Sequence, residues 1–243
     1  MTIEPFGDQA VRVIFGDQIA PSVQLKISRF IQLFDQNPFS GFIEYVPAYT
    51  NVVFYYDPMK VIGSGHKNRS AQRQVIDYLT ELSQDVKKGS EHESFRRVVH
   101  IPVCYGGTFG PDLNEVAAAH DLQPDEVIAR HSAPHYLVYM LGFAPGFPFL
   151  GGLPEELATP RRATPRLKIA AGSVGIAGKQ TGAYPLDSPG GWQIIGRTPV
   201  PLFTPETNPP TLLQAGDLVK FDPVTEQEFK CIYGGCNDGT HFA

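Results

Sequence analysis

The sequence predicts an α+β protein in which a domain of mixed strands and helices precedes a β-barrel. Over roughly the first hundred residues, strand-like runs alternate with segments whose apolar residues recur at helical spacing. After Pro134, short apolar runs follow one another with turn residues between them, which is typical of a closed or nearly closed barrel. The chain of 243 residues is long enough for each domain to bury its own core. We place the boundary near residue 92, between an N-terminal domain of residues 1–92 and a barrel domain of residues 93–243.

The N-terminal domain has the element order of a split βαβ unit of the ferredoxin-like type. Its predicted elements are a strand at 10–15, a helix at 22–36, strands at 42–49 and 51–56, a helix at 71–86 and a strand at 95–103. The two central strands are too close in the chain for a crossover and therefore predict a hairpin. A polar stretch at 87–94 resembles a linker, so the last strand either completes the first sheet or leads into the second domain.

The second domain begins with helical segments and continues as strands. Asp112 is followed by Glu115 three residues later, which predicts a helix whose first turn is capped by the aspartate. Pro124 suits the first turn of a further helical segment, which ends near residue 131. The predicted strands are 136–141, 168–177, 192–197, 218–223 and 228–233.

Residues 142–199 have an unusual composition, because they contain 11 glycines and 8 prolines. A disordered segment of such composition lacks large apolar residues, whereas this one contains Phe, Leu, Ile, Tyr and Trp. We therefore predict an ordered, tightly turned surface in which glycine allows positive φ and close approach of the backbone. These residues carry a net charge of +3 in a chain of net charge −5. Such a distribution indicates either a focused site for an anion or acidic partner, or a solvated charged face.

Composition and charge argue against several classes of function. The net charge of −5 disfavours general nucleic-acid binding. No apolar stretch approaches the ~18 residues of a membrane span, and the N-terminus lacks the basic and apolar regions of a signal peptide. Three cysteines at low density fit a reducing compartment. We therefore expect a cytoplasmic protein that binds neither membranes nor nucleic acid.

Residues 172–182 (GSVGIAGKQTG) are an imperfect version of a phosphate-binding loop. Ser173 stands where the first glycine of that motif belongs, and Gln180 follows Lys179 where a hydroxyl residue is needed. The residues after the motif also predict a turn and a strand, so no helix N-terminus is available for phosphates. A turn at a corner of the barrel is the favoured interpretation.

Metal and nucleophile motifs are equally weak. His120, His131 and His135 could indicate a metal site. His131 and His135 are four residues apart, but Pro134 disrupts a regular helix between them. A still weaker zinc pattern consists of Cys231, Cys236 and His241. No Gly-x-Ser-x-Gly nucleophile motif is present. We predict no metal site and assign no catalytic residue.

A mixture of aromatic and cationic side chains is the stronger local signal. Aromatic residues and arginine dominate binding hot spots, and an aromatic pocket with an arginine rim can hold a small carboxylate or a partner's loop. Any single aromatic residue is more often part of a core, but core packing alone does not explain the glycines and prolines. The candidate substrate- or partner-binding residues are Tyr139, Phe143, Pro145, Phe147, Arg161, Arg162, Arg166, Lys179, Gln180, Tyr184, Trp192 and Arg197.

Long sequence motifs resemble one known family. The strongest are YMLGFAPGFPFLGGLPEELATPRRATPR at 139–166 and AAGSVGIAGKQTGAYPLDSPGGWQIIGRTP at 170–199. IPVCYGGTFGPDL at 101–113 and LLQAGDLVKF at 212–221 also fit. With these motifs the chain resembles the family of 5-oxoprolinase B subunits, which includes the sporulation kinase inhibitor KipI and has the older label allophanate hydrolase subunit 1. The resemblance covers essentially the full chain.

The resemblance implies an α+β N-terminal domain, a cyclophilin-like β-barrel and two partner chains, the A and C subunits of 5-oxoprolinase. The C subunit is itself a second cyclophilin-like chain, and the likeness concerns the fold only. Together the three chains open 5-oxo-L-proline to L-glutamate in an ATP-dependent reaction, so this chain alone is expected to be inactive. ATP is a cofactor of the complex, and direct binding by this chain stays open. We expect some of the candidate cationic side chains to face a pocket shared with the C subunit, because charge builds on phosphate and carboxylate groups.

Two further functions stay open under the same resemblance. KipI-like members inhibit a sensor histidine kinase by direct contact, and the aromatic and Gly/Pro-rich surface is available for that role. Hydrolysis of allophanate rests on the older family label alone, because the sequence shows no amidase-type serine–lysine signature.

Overall fold

The computed structural model describes residues 1–64, 69–88 and 96–234 of the chain. The chain divides into two compact units, Met1–Phe95 and Arg96–Ala243, which have separate hydrophobic cores. The fold class is α+β with a closed barrel in the second unit, as the sequence predicts. Residue 92, near which we predict the boundary, and most of the predicted linker at 87–94 lie outside the described residues.

The first unit is a four-stranded antiparallel sheet with three helices. Its elements are β1 (Thr2–Pro5), β2 (Ala10–Ile14), α1 (Pro21–Gln36), β3 (Phe42–Pro47), β4 (Asn51–Tyr56), α2 (Pro58–Ser64) and α3 (Ala71–Lys88). The strand order is β1-β2-β4-β3. Because β2 and β3 both pair antiparallel with β4, they run parallel with one strand between them. Since α1 connects them, this is the predicted split βαβ unit.

Aromatic residues join the helices of this unit to its sheet. The buried apolar residues of α1 recur at helical spacing and are Val23, Ile27, Phe30 and Phe34. On β4, Val52 and Phe54 are buried at alternate positions, because successive side chains of a strand point to opposite faces. The ring centroids of Phe30 and Phe34 lie 5.9 and 4.8 Å from that of Phe54, so helix and sheet share one core.

The strand predicted at 95–103 leads into the second domain, which is one of the two alternatives that the sequence left open. Residues Val98–Tyr105 form β5 in the second unit, where they pair with a strand near the C-terminus. The position beside β2 is taken instead by β1, which pairs with β2 from Thr2↔Ile14 to Pro5↔Val11. Local periodicity indicates that a segment is a strand but does not identify the strand with which it pairs.

The second unit is built around a closed barrel of seven strands. Its strands are β5 (Val98–Tyr105), β6 (Tyr136–Leu141), β7 (Pro148–Gly151), β9 (Ser173–Ala177), β10 (Gln180–Ala183), β12 (Gln193–Arg197) and β13 (Leu218–Pro223). They are ordered β10-β7-β6-β13-β5-β12-β9, and the pairing of β9 with β10 closes the barrel. A separate two-stranded ribbon consists of β8 (Arg166–Ile169) and β11 (Ser188–Gly190). The helices are α4 (Leu113–Ala119), α5 (Pro124–Ser132) and α6 (Glu226–Gly234).

Each barrel strand contributes side chains to one core. These buried residues are Ile101, Val103, Tyr136, Val138, Leu150, Val174, Ile176, Ala183, Ile195, Val219 and Phe221. Val116 of α4 and Val127 of α5 belong to the same cluster, so both helices pack on the barrel. No helix within the described ranges is long and apolar enough to cross a membrane.

One strand predicted for this unit is wrong, and two predicted helical segments are confirmed. Residues 228–233, predicted as a strand, lie in α6, whose start is fixed by reciprocal hydrogen bonds. The Thr225 N–H donates to Glu228 Oε2 at 2.7 Å, and the Glu228 N–H donates to Thr225 Oγ1 at 3.2 Å, which is a capping box. The two helical segments predicted after Asp112 form as α4 and α5, separated where Asp121 adopts a φ of 54°.

Candidate functional site

Most of the predicted aromatic residues gather in a cluster separate from the barrel core. Phe147, Tyr184 and Trp192 are 2%, 2% and 6% exposed, and their ring centroids lie between 5.5 and 6.2 Å apart in edge-to-face contacts. Burial raises the pKa of Tyr184 to about 12, so its hydroxyl stays protonated at neutral pH. Phe143 and Phe149 contact Phe147 at 5.6 and 5.3 Å. The less buried rings of Phe143 and Phe149 therefore pack against the buried ring of Phe147.

Glycines in the neighbouring strands make room for these rings. A Cβ atom at Gly182 of β10 would lie 3.2 Å from the ring of Trp192. At Gly151 of β7, a Cβ atom would lie 2.2 Å from the ring of Tyr139, which is 6% exposed on β6. Aromatic rings thus lie directly against strand backbone, which only glycine permits. The glycine density of residues 142–199 reflects this close packing.

The loop between β6 and β7 presents an aromatic side chain to solvent. Phe143 is 75% exposed and has a φ of 68°, a left-handed conformation that is uncommon for a bulky residue. Three backbone hydrogen bonds hold the loop: Gly142 N–H to Phe147 O at 3.1 Å, Ala144 N–H to Gly142 O at 2.8 Å and Phe147 N–H to Ala144 O at 3.0 Å. Pro145 is also exposed. Strained conformations that the surrounding structure maintains cluster at functional sites.

Residues 172–182 form a β-hairpin. Gln180 pairs with Ala177 across the turn of Gly178 and Lys179, so β9 leads directly into β10 and no helix follows. The Lys179 ammonium lies 2.7 Å from Glu155 Oε1, and both side chains are at least 75% exposed. The hairpin agrees with the favoured interpretation of a barrel corner.

Arg162 and Arg166 converge on the buried carboxylate of Asp112. Arg166 donates two hydrogen bonds to it, at 2.8 and 2.6 Å, and Arg162 donates one at 2.7 Å. The backbone N–H of Ile194 donates a further bond at 2.6 Å. The Asp112 side chain is 2% exposed. Both guanidinium groups are therefore engaged in internal ion pairs. The prediction that the Asp112 side chain caps α4 is wrong, because this side chain makes no capping hydrogen bond.

Arg161 and Arg197 form no salt bridge with a carboxylate among the residues that the structure describes. Arg197 nevertheless lies near Asp187, whose pKa is lowered mainly by Lys168 and the Ala171 N–H and to a smaller extent by Arg197. Arg161 is exposed and borders a shallow depression together with Glu115 and Gln193. Arg197 donates from Nε to the carbonyl oxygen of Ala171 at 2.8 Å. Its two Nη groups donate no hydrogen bond to residues 1–64, 69–88 or 96–234.

Arg197 lines a half-enclosed cavity of about 380 Å³. Apart from Arg197, Thr198 and Tyr233, the lining residues are apolar or glycine: Ala171, Gly172, Pro185, Pro199, Val200, Pro201, Leu202 and Ile232. Within the described part of the chain, Arg197 is the one charged side chain on this wall. The cavity therefore combines a single cation with a largely apolar surface.

A chain of hydrogen bonds connects α5 to strands β5 and β10 of the barrel. Tyr105 Oη lies 2.8 Å from His131 Nδ1, and His131 Nε2 lies 2.8 Å from Thr181 Oγ1. Thr181 donates its single hydroxyl proton to the carbonyl oxygen of Gly175 at 3.0 Å, so it accepts from His131. His131 is therefore protonated at Nε2 and accepts from Tyr105 at Nδ1. Burial lowers the pKa of His131 to about 3, and the imidazole is neutral.

The histidines considered as metal ligands do not meet. His131 is buried, His120 pairs with Thr159 at 2.9 Å, and His135 is exposed. In the described ranges, no three His, Cys, Asp or Glu side chains are placed to hold a metal ion. The zinc pattern near the C-terminus includes Cys236 and His241, which lie outside the described residues.

Comparison with known proteins decides the family. Residues 1–213 match the family described as carboxyltransferase domain, subdomain C and D. The chain is 49% identical over 232 residues to the B subunit of 5-oxoprolinase from Bacillus subtilis (strain 168), covering 93% of this chain and 94% of that protein. The chain belongs to the family of 5-oxoprolinase B subunits. Another member, from Escherichia coli O157:H7, is 40% identical over 220 residues, covering 90% of this chain and 94% of that protein.

Solved structures share the fold of this family member. The conserved uncharacterized protein PH0987 from Pyrococcus horikoshii is 44% identical, with a TM-score of 0.54 over 94% of this chain and all of the other. TTHA0988 is 34% identical, with a TM-score of 0.75 over 89% of this chain, but this chain spans only 40% of that longer protein. Kluyveromyces lactis urea amidolyase is 20% identical with a TM-score of 0.71, which shows similarity of fold alone.

Sequence reasoning misses the two buried polar centres of the barrel. Asp112 carries a helix-capping signal, but its carboxylate binds side chains that are 50 and 54 residues away in the chain. His131 binds Thr181 across 50 residues. Local sequence patterns do not identify hydrogen-bond partners that are so far apart in the chain.

Proposed function

We propose that this chain is the B subunit of a 5-oxoprolinase, which opens 5-oxo-L-proline to L-glutamate in an ATP-dependent reaction together with the A and C subunits. The observation that carries the proposal is the 49% identity to the Bacillus subtilis protein over nearly the full length of both chains. A protein of this kind requires further chains, so the reaction belongs to a complex. We expect the isolated chain to be inactive.

The chemistry of lactam opening indicates which side chains matter. A lactam is a stabilised amide, and phosphorylation of its oxygen makes the carbonyl carbon a better electrophile. Negative charge then collects on phosphate and carboxylate groups, which cationic side chains and N–H donors stabilise. Arg162 and Arg166 are engaged by Asp112, and Lys179 is engaged by Glu155. The two remaining candidates, Arg161 and Arg197, are therefore best placed to meet an anionic group.

We propose that ATP is a cofactor of the complex, and direct binding by this chain stays open. Gly178 and Lys179 form the turn of a hairpin, so no helix N-terminus aims its backbone N–H groups at a phosphate chain. The Lys179 ammonium is already paired with Glu155. These residues do not fit a nucleotide phosphate site.

Reconstitution tests the proposal. The purified chain is mixed with the A and C subunits, and formation of L-glutamate from 5-oxo-L-proline is measured with and without ATP. We expect turnover only when all three chains and ATP are present. Ile195→Asp, which places a charge in the barrel core, is the control for activity carried over from the expression host. Full turnover by the A and C subunits alone would contradict the proposal.

The regulatory alternative stays a prediction from the family resemblance and has its own test. Autophosphorylation of a sensor histidine kinase is measured while the purified chain is added in increasing amounts. Inhibition at equimolar amounts, combined with no contribution to 5-oxo-L-proline turnover, would favour the kinase inhibitor over the component of an enzyme.

A further inference from the structure

The guanidinium group of Arg197 is held by one hydrogen bond and forms no salt bridge with the described residues. Its Nε bond to Ala171 O fixes the plane of the group, while both Nη groups are left for other acceptors within the described part of the chain. Of the other basic residues between positions 161 and 197, all but Arg161 form a salt bridge with a carboxylate. We propose that the cavity beside Arg197 binds the carboxylate of a small organic acid. This inference deepens the proposed function, on which its choice of 5-oxo-L-proline as the ligand rests.

The backbone that carries Arg197 is firmly fixed. The Thr198 N–H donates to Gly172 O at 2.9 Å, and the Gly172 N–H donates to Tyr184 O at 2.7 Å. Gly172 has a φ of 83°, and a Cβ atom there would lie 2.3 Å from the Thr198 carbonyl oxygen, so the two segments approach this closely only because the residue is glycine. Three prolines with fixed φ complete the wall: Pro185, Pro199 and Pro201. A site ordered before its ligand arrives loses less entropy on binding.

The lining selects a monoanion with a compact, weakly polar body. The two Nη groups of an arginine match the two oxygens of a carboxylate in a planar fork. Thr198 Oγ1 accepts the Val200 N–H at 3.2 Å, and its hydroxyl proton has no acceptor among the described residues. A nucleotide polyphosphate would meet only one cation here, whereas 5-oxo-L-proline has one carboxylate on a small lactam ring.

Calorimetric titration of the full chain tests the site. The ligands are 5-oxo-L-proline and 2-pyrrolidinone, which has the same ring without the carboxylate. We expect saturable one-to-one binding of 5-oxo-L-proline and none of 2-pyrrolidinone. Arg197→Gln should weaken binding about tenfold or more, because a charge-assisted bidentate contact is lost. Lys230→Gln removes an equal charge from an exposed ion pair of α6 and should leave the affinity unchanged.

A second variant keeps the test decisive if Arg197→Gln fails to fold. Val200→Phe fills the cavity while Arg197 stays in place, and it should also weaken binding at least tenfold. Three results would overturn the proposal: no binding by the wild-type chain, unchanged binding by both folded variants, or equal binding of 2-pyrrolidinone.

Failure of the site and failure of the proposed function are distinguishable in the reconstituted complex. If the complex forms L-glutamate and the Arg197→Gln variant keeps the wild-type KM for 5-oxo-L-proline, the site is wrong and the function stands. If the chain binds the ligand through Arg197 but the complete complex forms no L-glutamate, the function is wrong and the site stands.

Discussion

Single residues in the barrel unit act over long distances in the chain. The Asp112 carboxylate accepts hydrogen bonds from Arg162, Arg166 and the backbone of Ile194, which are 50, 54 and 82 residues away. The residue just before α4 is thereby fixed to β8 and β12. A buried charge is stable only when it is paired and hydrogen-bonded, and here the two arginines supply both requirements.

Removal of the Asp112 carboxylate should destabilise the barrel unit strongly. We expect Asp112→Ala to lower the free energy of unfolding by about 2–4 kcal/mol, which is below the ~3–5 kcal/mol of a fully buried pair because both arginines keep some contact with water. Glu115→Ala is the matched control, because that carboxylate also binds Arg162 but is 66% exposed. It should change the free energy by less than about 1 kcal/mol. Urea unfolding monitors both variants, and equal effects would contradict the assignment.

The neutral His131 makes the stability of the barrel depend on pH. Burial lowers the pKa of His131 to about 3, whereas histidine in an unfolded chain titrates near 6.5. Between these values the unfolded chain binds a proton that the folded chain does not. The free energy of unfolding is therefore highest above about pH 6.5 and falls as the pH is lowered towards 3.

The expected loss from this one group is about 1.4 kcal/mol per pH unit, or about 2 kcal/mol between pH 7 and pH 5. His131→Gln keeps one donor and one acceptor for Thr181 and Tyr105 but cannot titrate. The free energy of unfolding of this variant, measured in urea, should therefore change between the two pH values by about 2 kcal/mol less than that of the wild type. Parallel pH dependence of the two proteins would show that His131 is not the group responsible.

At the scale of elements, aromatic rings pack against barrel strands at positions occupied by glycine. The ring of Trp192 packs on β10 because Gly182 has no side chain, and Phe147 lies within 3.4 Å of the same position. Rings and strands together form a layer outside the barrel core. The Phe143 loop extends from this layer, so its exposed ring is supported by buried ones.

A methyl group at Gly182 should disturb this layer. We expect Gly182→Ala to lower the free energy of unfolding by about 1–2 kcal/mol, because the added atom overpacks the rings. The emission of Trp192 should change as well, and the chain has no other tryptophan. Gly63→Ala in α2 is the control, because nothing lies within 4 Å of its Cβ position. Wild-type emission and stability in Gly182→Ala would contradict this account of the glycines.

Elements with a strong local signal were predictable from sequence, whereas their partners were not. The apolar spacing in α1 and the short turn between β3 and β4 are local, and both elements form as predicted. The partners of β5 are β12 and β13, which follow roughly ninety or more residues later. The capping pair of Thr225 and Glu228 was a local signal for α6, but the apolar residues after it also fit a strand. At the candidate site, the basic residues were predictable, but whether each one binds a carboxylate inside the barrel unit depends on folding.

At the scale of the whole molecule, the chain is two compact units with separate cores. The core of the first unit includes Leu79 and that of the second includes Ile195, and both residues are fully buried. Apolar contacts stabilise the cluster in which they lie, since dispersion and burial act over a few ångströms. A cavity made in one core should therefore weaken that unit without weakening the other.

Matched cavity variants test this expectation by hydrogen exchange of the full chain. Leu79→Ala should lower the protection of amides in residues 1–64 and 69–88 by about 2–5 kcal/mol, and Ile195→Ala should do the same for residues 96–234. In each variant the amides of the other unit should keep their wild-type protection. Loss of protection in both units from either substitution would show that they unfold as one cooperative body. If each substitution lowers amide protection only in its own unit, the pH dependence set by His131 belongs to the barrel unit alone.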